Sequence, residues 1–482
     1  MFLKAGILSL ALLLASRILG VLRETAQAAA FGTSGMADVA VLLVTLPDWI
    51  ASVAASGALA YVLLPAWAGR PPADIDRLQR RVAFAACAIA AATAVLLVLA
   101  REPAIRTLAG GLSPGLQGLA AAGLAWSAIA LPLSFLAALW VTRLQHERDF
   151  LGMYAANLVV NIVLIGSILV AATRPREAVP LLGMGLLAAM LARLAWLRLR
   201  LPARVPASHE PLSLPAPPVW LWAMLSAGLP LALPFTARSL ASHAGEGALA
   251  TFNYAWKLVE LPAILAIQLV ASLAFPRVTQ ALAGNGDGAA VTIRGAFALA
   301  WTLACAAAAG LLLGGPALAQ LLFGWGRMRA GALPDVAHWG MAGAWGLLPQ
   351  AISAVALTVL AARSRMHPAV GGYAAGLLLL LVAGLVAAPG GFALMTLLNV
   401  AYLLAALACL WALGPQRARW VPWPAFGWPL ALLAVIALAA VPSRQATGGS
   451  IVAGLVAGAA GALLVLGVSL WRGSEVRAAL RR

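Results

Sequence analysis

The chain has 482 residues, of which 63% are hydrophobic and only 10% are charged. A soluble globular protein is typically about 45–50% apolar and about 25% charged, so this composition excludes that class. The formal net charge of +17 would suggest a nucleic-acid partner in a soluble protein. Here the arginines stand mainly in short segments between apolar runs, so we expect them to set membrane orientation and expect no nucleic-acid partner.

Apolar runs of membrane length repeat along the whole chain, and the mean hydropathy is +0.96. A transmembrane helix needs about 20 such residues, and about fourteen stretches satisfy that requirement. Strands of a membrane β-barrel would instead alternate polar and apolar residues. The sequence therefore predicts an all-α polytopic membrane protein. The second, eighth and tenth stretches, 36–66, 248–276 and 336–362, are long enough that we expect tilt, kinks or extensions into water.

Cationic residues favour one side of the predicted membrane topology. With the N-terminus inside, the segments assigned to the cytoplasm carry about twice as many of them as the opposite segments. Arg238 and Arg327 are assigned to segments on the opposite side. The positive-inside rule then predicts that both chain termini are cytoplasmic.

The first apolar run has a competing interpretation. Lys4, the apolar run that follows it and the small residues Ala26 and Ala28 resemble a cleavable signal peptide. However, Arg17, Arg23 and Glu24 lie between the run and that cleavage site. Cleavage would also remove one span and disturb the alternation of loop charges, so we interpret the run as the first membrane helix.

A proline-rich segment at 202–218 is the best candidate for a linker. It divides the chain into a predicted N-terminal lobe of spans 1–6, a C-terminal lobe of spans 7–12, and a further helix pair with a basic tail, at residues 1–205, 206–415 and 416–482. The second and eighth spans each contain an internal proline, Pro47 and Pro262. Such internal similarity is typical of transporters, which place the substrate site where their repeats meet.

Charged and polar residues inside these spans are the strongest functional signal. A charged side chain at mid-bilayer costs about 2.5–3.5 kcal/mol, so such residues tend to face a bundle interior or a wet cavity. Arginine and lysine both bind phosphate, so a cavity that holds several cations would attract an anion. The candidate substrate-binding residues stand within or beside the first, second and eighth spans: Arg17, Arg23, Glu24, Asp38, Asn253, Lys257 and Glu260.

Ion pairing is the alternative explanation for these charges. Helical spacing places four residues of the eighth span on one stripe: Asn253, Lys257, Glu260 and Gln268. Glu260 therefore stands one turn after Lys257, and Glu24 is available to either Arg17 or Arg23. Buried ion pairs of this kind would hold the helices in register without any ligand.

No catalytic motif is evident in the sequence. The 5 histidines are scattered near loops without the spacing of metal ligands, and the 3 cysteines lie in predicted spans. There is no Walker A sequence to support ATP-driven transport. We therefore expect a transporter rather than an enzyme, with no cofactor and no metal ion.

Three motifs follow one another along the chain: residues 16–24 (SRILGVLRE) with residues 31–38, residues 254–262 (YAWKLVELP), and residues 322–326 (LFGWG). In this order and spacing they resemble the MurJ/MviN lipid II flippase family. That family lies within the superfamily of multidrug, oligosaccharidyl-lipid and polysaccharide exporters. The resemblance covers nearly the whole chain, although arginine is usual in the family at the position of Lys257.

The resemblance implies two six-helix lobes arranged as a V around a cationic cavity, and two extra C-terminal helices that border a groove for a lipid tail. It implies a flippase of the bacterial inner membrane that acts in peptidoglycan biosynthesis, and hence in cell wall biogenesis and cell shape. The substrate would be an undecaprenyl-pyrophosphate-linked glycan, the peptidoglycan precursor lipid II, carried by alternating access. Membrane lipids and envelope-synthesis enzymes are the implied partners. Arg17, Arg23 and Lys257 match cavity cations of the family, and Asp38 and Glu260 match its acidic positions.

Departures from the family pattern leave other functions open. The family usually has two arginines and then an acid after the second-span proline, whereas Asp48 follows Pro47 here and Ser56 occupies the position of the acid. Arg238 and Arg327 are the candidates to compensate. The alternatives are a flippase for another polyprenyl-linked polysaccharide unit, a cation-coupled drug exporter of the same superfamily, and a non-transporting scaffold with closed charge pairs.

Overall fold

The structure is a computed structural model that describes residues 2–53, 58–203, 215–283, 287–363, 365–387, 389–443 and 450–481. These residues form helices joined by short turns, and the described part of the chain contains no strand. The helices in chain order are α1 (Phe2–Phe31), α2 (Gly35–Val53), α3 (Leu59–Trp67), α4 (Pro72–Leu99), α5 (Arg101–Leu108), α6 (Pro114–His146), α7 (Phe150–Thr173), α8 (Ala178–Arg200), α9 (Pro217–Ala241), α10 (Ala248–Pro262), α11 (Leu269–Ala283), α12 (Asp287–Phe323), α13 (Leu333–Gly343), α14 (Leu347–Ala362), α15 (His367–Ala387), α16 (Gly391–Ala412), α17 (Arg417–Trp420), α18 (Trp423–Ser443), α19 (Ile451–Arg472) and α20 (Ser474–Arg481).

Eleven helical stretches among the described residues are long and apolar enough to cross a membrane, and Gly35–Pro47 is a shorter apolar helix. A helix satisfies all its internal backbone hydrogen bonds without water, so it suits a segment that spans lipid. The predicted class, an all-α polytopic membrane protein, is confirmed. The count of about fourteen spans stays a prediction.

Local chemistry explains where several helices begin. Helices α4 and α6 start at Pro72 and Pro114, because proline lacks the N–H that a first helical turn leaves unpaired. Helix α7 starts after Asp149, whose carboxylate accepts a hydrogen bond of 2.9 Å from the Gly152 backbone N–H. Asp149 is thus an N-cap of the kind that stabilises helix starts.

The described chain divides into two compact units. Unit 1 comprises Met1–Leu231, Gly245–Ala250 and Trp325–Met328, and unit 2 comprises Ala232–Ala244, Thr251–Gly324 and Arg329–Arg482. In unit 1, α6 packs against α2, α4 and α8, and α7 packs against α1 and α8. Trp67 is fully buried in a core cluster with Leu63, Leu78 and Leu139.

Helix α12 is the centre of unit 2, where it packs against α11, α14, α18 and α19. Its contact with α19 is close because glycines face each other: a Cβ added at Gly314 would lie 3.3 Å from the Cα of Gly458. Small residues at such contacts let membrane helices approach closely. The predicted C-terminal helix pair, seen here as α18 and α19, is therefore packed onto α12 within unit 2.

The eighth predicted span is interrupted as its proline suggests. Helix α10 ends at Pro262, a π-helical segment follows at Ala263–Gln268, and α11 continues to Ala283, beyond the predicted end at 276. Proline removes a backbone donor and clashes with the carbonyl of the preceding turn, so a regular α-helix does not pass through it without adjustment. In the second span, by contrast, α2 continues past Pro47 to Val53.

Candidate functional site

Helix α1 carries one buried and one exposed arginine. Arg23 and Glu24 are both buried, and their side chains form an ion pair of 3.0 Å between Nη2 and Oε1. Arg17 is exposed on the face that also presents Leu14 and Ile18. The structure therefore places the two predicted cavity arginines in different environments, with Glu24 beside Arg23.

Asp38 of α2 is 0% exposed and binds backbone amides. Its carboxylate accepts hydrogen bonds of 2.7 Å from the N–H groups of Gly247 and Ala250. These amides belong to the start of α10, where the first N–H groups have no partner within the helix. A carboxylate satisfies both the unpaired donors and the positive end of the helix dipole. Asp38 thus acts as a cap supplied from a distant part of the chain.

Glycines permit close backbone contacts in the same part of unit 1. A side chain at Gly247, whose φ is +85°, would collide with the Thr33 carbonyl oxygen. A side chain at Gly326, whose φ is +62°, would collide with the Ala29 carbonyl oxygen, which also accepts a hydrogen bond of 2.8 Å from the Arg327 N–H. The end of α1 is therefore joined to the segments at 245–250 and 325–328 by backbone packing. We call this region the glycine junction.

Unit 2 holds the remaining candidate residues on α10. The Lys257 ammonium lies 2.6 Å from the Glu260 carboxylate, and these side chains are 23% and 33% exposed. Asn253, one turn before Lys257, is fully buried, and its Oδ1 accepts a hydrogen bond of 2.7 Å from Arg238 Nη1. Arg238 comes from the last turn of α9. Lys257 and Glu260 of α10 and Arg238 of α9 thus lie along one edge of α10, which we call its polar edge.

Aromatic residues of the second and third motifs hold α10 within unit 2. Tyr254 stacks on Phe323 of α12 with ring centroids 5.0 Å apart, and Trp256 stacks on Tyr402 of α16 at 6.2 Å. Both residues of α10 are buried, so its polar edge is kept in a fixed orientation. This packing gives the motif aromatics a positioning role.

The other predicted features are distributed as follows. Arg327 is bound at the glycine junction, where its Nη2 also lies 3.4 Å from the Ala172 carbonyl oxygen. The side chain of Asp48 and all of Ser56 lie outside the described residues. Gln268 is the last residue of the π-helical segment that follows α10, so α-helical spacing does not relate it to Lys257 as predicted. Within the described ranges, no group of three or more His, Cys, Asp or Glu residues is arranged to hold a metal ion.

Residues 27–456 match the family model described as lipid II flippase MurJ. The chain is also 27% identical over 349 residues to the probable lipid II flippase MurJ of Rhizobium meliloti (strain 1021). That alignment covers 67% of this chain and 64% of the relative, so the chain spans less than two thirds of the length of that relative.

Solved structures of two transporter groups have a similar fold. A lipid II flippase MurJ in an inward closed conformation has a TM-score of 0.78 at 16% identity, with 96% of this chain and 99% of that chain covered. An inward-facing multidrug resistance MATE family transporter of the MOP superfamily has a TM-score of 0.68 at 14% identity, with coverage of 87% and 95%. The family match at 27–456 takes in most of the 482 residues, and the chain therefore belongs to the lipid II flippase MurJ family.

Proposed function

We propose that this chain is a flippase that moves an undecaprenyl-pyrophosphate-linked glycan, the peptidoglycan precursor lipid II, across the bacterial inner membrane by alternating access. The observation that carries the proposal is the polar edge of α10 in a member of the MurJ family. Lys257 lies there beside the Glu260 carboxylate, and the Arg238 guanidinium lies beside Asn253. Such charges are expensive in a bilayer unless water or an anion meets them.

Lys257 is the residue best placed to bind a phosphate. Its side chain is 23% exposed, and its partner Glu260 is 33% exposed, so the pair is open on one side. An ammonium with three donors can keep the Glu260 contact and bind a phosphate oxygen at the same time. Glu260 then sets the potential of the site and limits how tightly the anion is held.

Arg238 supplies a second cation for the same substrate. The family usually has arginines after the second-span proline, and Arg238 compensates for their replacement in this chain. Its hydrogen bond to Asn253 orients the guanidinium beside α10. A planar guanidinium held in this way suits a pyrophosphate better than a mobile one, because less side-chain freedom is lost on binding.

Arg17 and Arg23 contribute from the N-terminal lobe in this proposal, with Glu24 and Asp38 as the acids that tune the site. Alternating access requires two conformations that the ligand binds unequally. Asp38 stabilises one of them, because its carboxylate fixes the start of α10. Its bonds to Gly247 and Ala250 would be broken and remade during each transport cycle.

The organisation of the protein follows the same proposal. The proposed lobes are residues 1–205 and 206–415, with the helix pair at 416–482. Both termini are cytoplasmic, because the arginines are concentrated on that side. Enzymes that make or use the lipid-linked precursor are the proposed partners.

A flippase for another polyprenyl-linked glycan is the second candidate. The replacement of the second-span arginines, at the positions that begin with Asp48, favours it. Complementation separates the two candidates: the chain should restore growth to a bacterium depleted of its own lipid II flippase. Failure despite normal expression would favour the second candidate.

The direct test is transport by purified protein in vesicles that contain labelled lipid II. Arg23→Ala, Arg238→Ala and Lys257→Ala should each reduce transport about ten-fold or more, since each removes a charge-assisted hydrogen-bond donor. Lys257→Arg should retain transport. The matched control is Arg176→Ala, which removes an exposed arginine from a turn outside α9 and α10. Normal transport by the Arg23 and Lys257 alanine variants would overturn the assignment.

A further inference from the structure

A cavity of about 320 Å³ lies at the end of unit 2 where α18 begins and α19 ends. Its lining includes Trp428 of α18, Ser469 and Arg472 of α19, and the first residues of α20. Helix α20 packs across the beginning of α12, where a Cβ added at Gly295 would lie 3.1 Å from the Ala479 methyl group. Four helices therefore enclose this space, which is separate from the polar edge of α10.

Arg472 is the cation of this cavity. Its guanidinium carbon lies 5.2 Å from the ring centroid of Trp428 and 4.6 Å from that of Trp471. No carboxylate pairs with it in the described part of the chain. Stacking on indole rings restricts a guanidinium while its N–H groups, which lie in the plane, stay available to an oxygen acceptor. Arg472 is thus prepared to bind an anion.

Two further groups in the wall favour a negative ligand. Gly473 immediately precedes α20 and has no side chain with which to cap the first N–H groups of that helix. Those N–H groups and the helix dipole attract anions. Ser469 is 2% exposed, lines the same cavity, and its hydroxyl has no hydrogen-bond partner within the described ranges. A buried hydroxyl without a partner is costly, so a ligand oxygen would relieve it.

Glu475, the acid in the cavity lining, does not cancel the positive charge of Arg472. Glu475 is held by Arg294, with Nη2 at 2.7 Å and Nε at 2.8 Å from the same carboxylate oxygen. Arg294 therefore neutralises Glu475 and joins the start of α12 to α20. With Arg472 counted, the lining keeps one positive charge in excess.

We propose that this cavity binds the phosphate of an anionic phospholipid headgroup. Trp428 and Trp471 are exposed at the ends of apolar, membrane-length helices, which is where tryptophan marks the membrane interface. Basic pockets between membrane helices bind such headgroups. The bound phosphate would join α18 and α19 to α20.

The test is native mass spectrometry of the purified, delipidated full-length protein titrated with phosphatidylglycerol. Arg472→Gln should weaken phosphatidylglycerol binding about ten-fold, because a charge-assisted contact is lost. The matched control is Arg363→Gln, since Arg363 also stacks on a tryptophan, Trp420 at 5.3 Å, but lies outside the cavity lining. Equal binding by the wild type and Arg472→Gln, or equal loss in both variants, would overturn the proposal.

Two further measurements show whether the bound phosphate belongs to a lipid headgroup or is a free anion. Phosphatidylcholine, which is zwitterionic, should bind more weakly than phosphatidylglycerol and should be less sensitive to Arg472→Gln. Displacement of phosphatidylglycerol by excess inorganic phosphate would show a free-anion site and refute the lipid assignment. If Arg472→Gln does not fold, Ser469→Ala gives the same test, with weaker phosphatidylglycerol binding expected and unchanged binding contradicting the proposal. If these variants still bind labelled lipid II as the wild type does, the phospholipid site is distinct from the transport site.

Discussion

A hydrogen bond of 2.7 Å joins the Asp38 carboxylate to the Ala250 backbone N–H, although 212 positions separate the two residues. The same carboxylate binds Gly247, so one side chain of α2 fixes the first turn of α10. Lys257 stands two turns further along that helix. Asp38 therefore caps the helix whose later turns carry the proposed phosphate-binding edge.

Asp38→Asn is expected to lower the free energy of unfolding by about 1–2 kcal/mol, because an amide is a weaker acceptor than a carboxylate and has one oxygen instead of two. The measurement is thermal unfolding of the purified protein. Asp335→Asn is the matched control, since Asp335 is an exposed acid in the first turn of α13. Identical unfolding temperatures for the two variants would refute a capping role for Asp38.

Gly247→Ala is expected to destabilise the protein more than Gly69→Ala. Both glycines have left-handed backbones, with φ of +85° and +72°, so alanine costs about 1–2 kcal/mol at either position. Only Gly247 also faces the Thr33 carbonyl oxygen, whereas the space around Gly69 is open. The overpacking should add about 1–3 kcal/mol at Gly247. Comparable melting temperatures for the two alanine variants would argue against a closely packed glycine junction.

A double-mutant cycle measures how far the Arg23–Glu24 ion pair holds unit 1 together. Glu24→Gln should cost about 3–5 kcal/mol, because it leaves a buried guanidinium without its carboxylate. The double variant with Arg23→Gln should be less destabilised than the sum of the single variants. The exposed pair Arg106–Glu102, at 3.9 Å, is the control and should show coupling below about 1 kcal/mol. Additive effects at Arg23 and Glu24 would contradict an energetic link between them.

Acid should weaken the start of α7. The pKa of Asp149 is lowered from its ordinary value, chiefly by the side-chain hydrogen bond from Arg200 and also by the Gly152 N–H. Because the folded-state pKa lies below the unfolded-state pKa, the stabilisation is complete above the ordinary value. It is lost as the pH falls through the lowered one.

Asp149→Asn isolates this effect, because asparagine remains a good N-cap but forms no ion pair. Arg200 is partly exposed, so the ion pair contributes no more than about 1 kcal/mol. Thermal unfolding should therefore be nearly equal for variant and wild type below the lowered pKa, and should differ above pH 4 or so, the ordinary value for aspartate. A difference in unfolding temperature that did not change with pH would refute a stabilising ion pair between Asp149 and Arg200.

Composition and hydropathy were sufficient to predict the helical membrane class. In lipid, backbone N–H and C=O groups must form their hydrogen bonds within the protein, and a helix does this within one segment. Helical spacing also placed Asn253, Lys257 and Glu260 correctly along one helix, since residues three and four apart are neighbours on its surface. These are local properties. The same spacing rule does not extend to Gln268, because Gln268 ends a π-helical segment, which has more residues per turn than an α-helix.

Contacts between distant segments were not predictable in the same way. Asp38 was expected to set a cavity potential, and nothing in its neighbourhood points to amides 209 and 212 positions away. The available signal was the start of α10, which follows Gly247 and so lacks a capping side chain of its own.

In the π-helical segment at Ala263–Gln268, the number of residues matters as well as their identity. Each residue of an α-helix rotates the chain by about 100°. A π-helical residue rotates the chain by less than this, and deleting one of these 6 residues would change how α11 continues from α10 and which side chains it presents to α12 and α14. A one-residue deletion here should be more harmful than most substitutions, because it would change the register of two halves of one span.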